Sequence, residues 1–151
     1  MKSPEERLVE SGITLPSVRA LTGNYITCVR TGNLIFTAAQ GIDEYHGKLG
    51  KELTTEEGYL AAQHCMLNLL AVLKTELGDL NRVKKIAKIL VMVNATEDFT
   101  EQPQVANGAS DLLDKIFGEI GKHSRSAVGM AQLPSDNAVE INMVVEVEEN
   151  E

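Results

Sequence analysis

The chain has 151 residues, of which 43% are hydrophobic; this suits one domain over residues 1–151 with a real core and excludes a disordered chain. Aromatic residues make up only 4% and Trp is absent, so the core must be built from Leu, Ile, Val, Ala and Met. The net charge is −8, and the run Glu146, Glu148, Glu149 and Glu151 reads as a solvated acidic tail; such a field disfavours nucleic acid and anionic membranes as partners.

Taken in chain order, Glu5 to Gly12 suits a short helix. Tyr25–Val29 and Leu34–Ala39 are β-rich runs joined by turn residues Thr31, Gly32 and Asn33, which predicts a hairpin. Gln40 to Gly50 carries three glycines and reads as a loop. Thr54 and Glu57 form a capping-box pattern ahead of Ala62, Cys65, Met66, Leu69, Leu70, Leu73 and Leu77, a helical repeat that Gly78 ends. Val83 to Val93 is a β-branched run of the kind found in a central strand buried on both faces. Asn94 to Gln104 reads as a loop, and Val105 to Ile120 as a second amphipathic helix closed by Gly121. Ser124–Ala131 and Val139–Val147 are strands flanking a turn at Leu133–Asn137. In the last strand Val139, Ile141, Met143, Val145 and Val147 share one face, while Glu140, Asn142, Val144 and Glu146 share a mixed one.

The order is hairpin, helix, strand, helix, two strands. It predicts an α+β fold with two helices packed on one face of a mixed sheet. The other sheet face then needs water or a partner, which points to an oligomer. Cys28 and Cys65 fit neither metal-ligand spacing nor a disulfide framework; Cys65 falls on the apolar side of its helix, and Cys28 is either core or beside a pocket. The N-terminus lacks the apolar stretch of a signal peptide, and no run is long enough to span a bilayer, so the chain reads as cytoplasmic. His46, His64 and His123 are too scattered to suggest a metal site; His46 and His64 read as solvated, and His123 as a neighbour of Arg125.

The chemistry concentrates between Arg125 and Glu140. If the last two strands pair around their turn, the two side chains come close. A guanidinium can then hold a carboxylate through two parallel hydrogen bonds, with an acid group beside it to place a water. The plain alternative is a structural ion pair between them or across a subunit boundary.

Several pieces in order resemble the RidA family (reactive intermediate deaminases, also called YjgF, with older descriptions as endoribonuclease L-PSP or translation inhibitor). They are Gly23-Asn24-Tyr25, Asn33 to Gln40, Leu67 to Leu73, Gly78-Asp79-Leu80 with Val83-Lys84-Lys85, and Asp98-Phe99. The family signature is matched by Ser124-Arg125-Ser126-Ala127-Val128, Leu133-Pro134 and Val139-Glu140-Ile141. The resemblance implies a chorismate-mutase-like fold and a homotrimer, with the free sheet faces forming a central barrel and pockets lying between subunits. It gives Arg125 the substrate carboxylate and Glu140 the attacking water. Tyr25 would line the pocket, the Ala39 backbone NH would touch the carboxylate, and Asn107 would match an Asn of the following helix. The partner implied is a small imine, enamine or 2-oxo acid bearing a carboxylate; imine hydrolysis to a 2-oxo acid and ammonia needs neither metal nor cofactor. The chain departs from the family pattern at Ala38 (usually Ser), Ala39 (Gly), Ala127 (Cys) and His123 (Pro), and the segment around Thr100–Gln104 is longer. Those departures keep open a non-catalytic carboxylate binder, and the older descriptions keep open an endoribonuclease, which the acidic balance disfavours.

Overall fold

The computed structural model describes residues 1–149; Glu151 of the acidic tail lies outside the described residues. A five-stranded mixed sheet has the order β1 (Cys28–Thr31), β2 (Leu34–Thr37), β5 (Val139–Val147), β3 (Val83–Asn94), β4 (Ser124–Met130). Only β3 and β4 run parallel. Helices α2 (Thr55–Leu77) and α3 (Gln102–Phe117) cover one face, and a short α1 (Pro4–Glu10) packs beside them. Among the described residues no helix is long and apolar enough to cross a membrane.

Local chemistry explains the helix ends. The Thr54 side chain accepts from the Glu57 amide, the Glu57 carboxylate accepts from the Thr54 amide, and Gly78 closes α2 in the left-handed region at φ 80°. The same reciprocal cap, Ser3 with Glu6, starts α1. Pro103 opens α3 in the first turn, where a missing N–H costs nothing. The helix therefore begins ahead of the predicted Val105, absorbs much of the long Thr100–Gln104 segment and yields to a 3-10 turn at Gly118–Gly121.

The core is aliphatic: Ile35, Met66, Leu69, Leu70, Leu73, Ile86, Ile89, Leu113 and Ile116 are fully buried between sheet and helices. Helices α2 and α3 touch backbone to side-chain-free backbone. A Cβ on Gly108 would lie 2.0 Å from the Tyr59 carbonyl oxygen, so only glycine permits this crossing. One turn away, Tyr59 Oη donates to Asp111 at 2.7 Å.

Four expectations are corrected. β1 begins at Cys28, so Tyr25 to Thr27 lie in the preceding coil, tied to the exit of β2 by one backbone bond, Ala38 N–H to the Thr27 carbonyl at 2.9 Å. β3 is buried on its helix-facing side only; Leu90 and Met92 on the other side are half-buried. Most consequentially, β4 and β5 do not pair with each other. Each pairs with β3 from opposite sides, because the turn between them crosses over the end of β3. The acidic run also begins inside the sheet, since Glu146 sits in β5 opposite Leu34.

The sheet face away from the helices carries Val29, Leu34, Phe36 and Val128, which are 51%, 37%, 43% and 40% exposed. Their neighbours on that face are Val144, Asn142, Leu90 and Met92.

Candidate functional site

Two clusters hold the polar chemistry, and they lie on different sides of the sheet. Arg125 stands opposite Ile89, and Glu140 opposite Met92. Positions 89 and 92 of one strand face opposite ways, so the two side chains do as well. Strand spacing and rise put their Cα atoms about 14 Å apart. The pair that the sequence brought together through a hairpin therefore does not meet within one chain.

The Arg125 cluster sits where edge strand β4 passes beside α3. Arg125 Nη1 donates to Asn107 Oδ1 at 2.8 Å and to Ser110 Oγ at 3.1 Å. Nη2 makes one long contact, 3.5 Å, to the Pro103 carbonyl. Both protons of Nη1 are thus used, and the Nε–Nη2 edge of the half-buried guanidinium is the edge left to grip a carboxylate side-on. His123 stands behind this arrangement. Its Nδ1 donates to the Gly121 carbonyl at 2.6 Å, and its Nε2 lies 2.9 Å from Ser110 Oγ. With Nδ1 the donor, a neutral ring accepts at Nε2 from the Ser110 hydroxyl, whose oxygen in turn accepts from Arg125. The predicted Arg125 and Asn107 are therefore in direct contact. Sequence reasoning missed Ser110, which carries no signal beyond its place one helical turn after Asn107.

The second cluster lines a crevice of about 600 Å³ between the coil 19–25, the exit of β2, the turn before β5, and Glu140. Tyr25 and Ala39, both singled out from the sequence, lie on its wall together with Glu140. Tyr25 is 46% exposed, and its hydroxyl lies 3.4 Å from Thr22 Oγ1. The amides of Ala38 and Gln40 are taken by Thr27 O and Ile141 O, while that of Ala39 has no partner among the described residues. Glu140 is half-buried, and burial raises its carboxyl above the ordinary glutamate range, with the nearby Arg19 charge partly opposing this.

Buried Asn137 holds the crevice's shape, its Oδ1 accepting from the Ile42 amide at 2.9 Å and its Nδ2 donating to the Pro134 carbonyl at 2.9 Å. Gly41 packs against it; a Cβ there would lie 2.8 Å from Asn137 Oδ1. The exposed His46 ring bridges the Ser135 and Asp43 carbonyls at 2.9 and 3.1 Å, tying the two rims together. Ser135 and Asp136 both adopt left-handed φ, 58° and 55°, a conformation that costs energy for side-chain-bearing residues and recurs at binding sites. His64, read as solvated, is half-buried and tilts against Tyr45.

Arg19 also lines this crevice and was missed. Its signal was present: no other charged residue occurs between Glu10 and Arg30. Cys65 lies beneath the crevice as a buried thiol 3.1 Å from the Val139 carbonyl, and burial pushes its pKa well up. Cys28 is buried as well. Among the described residues, His, Cys, Asp and Glu nowhere gather in a group of three or more able to hold a metal ion.

Known proteins share this architecture. A family model described as "YjgF/chorismate mutase-like, putative endoribonuclease" matches residues 5–147. Protein TCP17 of Trypanosoma cruzi is 44% identical over 142 residues, covering 90% of this chain and 89% of that protein. A crystal structure of "a putative endoribonuclease" from Shewanella oneidensis superposes with a TM-score of 0.93 at 36% identity, over 97% of this chain and 100% of the other. RidA from an Antarctic Psychrobacter is similar in fold, with a TM-score of 0.58 at 22% identity over 87% of this chain and 94% of that one. With the sheet order, the helix-covered face and these matches in agreement, the chain belongs to the YjgF/chorismate-mutase-like family, also called the RidA family.

Proposed function

We propose that the protein hydrolyses imines or enamines of amino acids to 2-oxo acids and ammonia, in crevices assembled between the subunits of a homotrimer. The observation that carries this reading is Glu140: a half-buried carboxyl with a raised pKa, facing a crevice whose wall offers the Ala39 amide. Burial that raises a carboxyl in this way makes it a stronger base than an exposed glutamate and suits it to general acid–base work. The Arg125 edge is the complementary part. Since it lies on the other face of its own sheet, the crevice of one subunit would receive Arg125 from a neighbour. The apolar sheet face bearing Leu34 and Phe36 supplies a surface for that assembly.

In the proposed reaction the substrate carboxylate lies on the Nε–Nη2 edge of Arg125 and the Ala39 amide. Glu140 takes a proton from a water as the water oxygen bonds to the imine carbon. The C=N π pair moves to nitrogen, which takes the proton from the Glu140 carboxyl. The carbinolamine then collapses: its hydroxyl proton passes by way of Glu140 to the amino nitrogen, C=O forms as the C–N bond breaks, and ammonia departs. Imine hydrolysis proceeds without an enzyme, so a gain of about a hundred-fold, what one positioned acid–base group supplies, is enough to matter. The test is to generate 2-aminoacrylate in the presence of the protein and follow ammonia and pyruvate. Acceleration that is lost in Glu140→Gln and Arg125→Ala supports hydrolysis.

Ala38 and Ala127 favour a second reading, a carboxylate binder without catalysis, because neither supplies the hydroxyl or thiol usual in the family. That reading is supported instead by no acceleration together with affinity for 2-oxobutyrate that Arg125→Ala removes.

A further inference from the structure

Arg19 is unexplained by the reaction just described. Its side chain is 29% exposed and lies along the crevice wall. Its guanidinium sits over Gly41, with Nη1 3.4 Å from where a Cβ would stand, an ordinary van der Waals approach. Among the described residues it uses one donor, Nη2 to Asp43 Oδ1 at 2.9 Å. Asp43 is 79% exposed, so this pair is an outward tether that orients the guanidinium without neutralising its inner edge. The crevice wall is mixed: Leu21, Ala38, Ala39 and Ile42 stand beside Thr22 and Gln40. A half-buried guanidinium with unused donors on a crevice wall can serve as the counter-charge for a ligand anion.

Resting on the imine-hydrolysis reading, in which Arg125 takes the carboxylate beside the reacting carbon, we propose that Arg19 takes a second one and that the substrate is a dicarboxylic 2-imino acid. A single guanidinium partly countered by Asp43 matches a singly charged carboxylate better than a phosphate. The second carboxylate also fits the chemistry. Placed on Arg19, it weakens the one nearby charge that lowers the Glu140 pKa, leaving that group the stronger base when substrate is bound.

The experiment is calorimetric titration of the full-length protein with two product analogues, 2-oxoglutarate and 2-oxobutyrate. The wild type is expected to favour the dicarboxylate by on the order of tenfold, the increment of one charge-assisted hydrogen-bonded pair. Arg19→Ala should collapse the affinity ratio toward unity, and Arg19→Lys should restore part of it. Asp43→Asn should raise the ratio, and because Asp43 is exposed this variant keeps the test available should Arg19→Ala fold poorly. A wild-type ratio near unity, or a ratio that Arg19→Ala leaves unchanged, overturns the proposal while leaving the Arg125 reading intact. Absence of binding by both acids removes that reading and this inference together.

Discussion

Because Arg125 and Glu140 face away from each other across β3, they can serve one crevice only when different subunits supply them, and this separation can be tested by mixing broken chains. Arg125→Ala and Glu140→Gln are co-expressed with different tags, and trimers carrying both tags are purified. No chain in the mixture has both residues. In a cyclic trimer of either mixed composition, about one crevice in three joins an intact Arg125 to an intact Glu140 from its neighbour, so the mixed preparation should show about a third of wild-type activity. Each parent alone should be down by about a hundred-fold or more. The signal is therefore about thirty-fold above background by the same arithmetic. The assay is release of ammonia and pyruvate from 2-aminoacrylate, with native mass spectrometry establishing the trimer composition. Verified mixed trimers that stay at parental activity would refute the reasoning, since they would place both residues in one chain's crevice.

Gly108→Ala should force α2 and α3 apart, because its methyl would sit 2.0 Å from the Tyr59 carbonyl. Overpacking against backbone costs about 3 kcal/mol, lowering Tm by ~6–12 °C in a chain of this size, which calorimetry would read. Glu140→Gln should raise Tm at neutral pH. The Glu140 pKa is raised in the folded state, so the fold favours the protonated form; its stability is complete below the ordinary glutamate range and declines as pH rises through the raised value. The non-ionising Gln escapes that decline, and its advantage should vanish in acid; an advantage independent of pH would contradict the burial argument. The same shift predicts that wild-type hydrolysis fades on acidification with a midpoint above that of a solvent-exposed glutamate. Phe36→Asp on the open sheet face should leave the far-UV circular dichroism intact and convert the proposed trimer to monomers by light scattering; a variant that keeps the wild-type mass would show that this face is not the interface.

Periodicity and end signals made most of the fold legible. The Thr54 cap, the Gly78 stop and the alternation of β5 each follow from local chemistry, so their positions could be read directly. Strand order could not, since neighbours in sequence and neighbours in the sheet differ wherever a connection crosses a strand end. Ser124–Met130 and Val139–Val147 look like a hairpin in sequence, yet β3 is the better partner for both: its long aliphatic run offers two hydrogen-bonding edges. Of the candidate site, Arg125 and Glu140 were singled out from the strand pattern, and Asn107, Tyr25 and Ala39 through family resemblance. Arg19 was not, because coil residues obey no period, and its place on the crevice wall with Glu140 is set by tertiary structure that sequence distance hides.

The order β5-β3-β4 has a consequence for how such a protein can fail. If the crevices form between subunits as proposed, dilution below the association threshold would silence every protomer while each remained folded, and specific activity would depend on concentration in a way that thermal stability alone cannot report. Damage at the open sheet face and damage at the guanidinium would then look alike to an enzymologist and different to a calorimetrist.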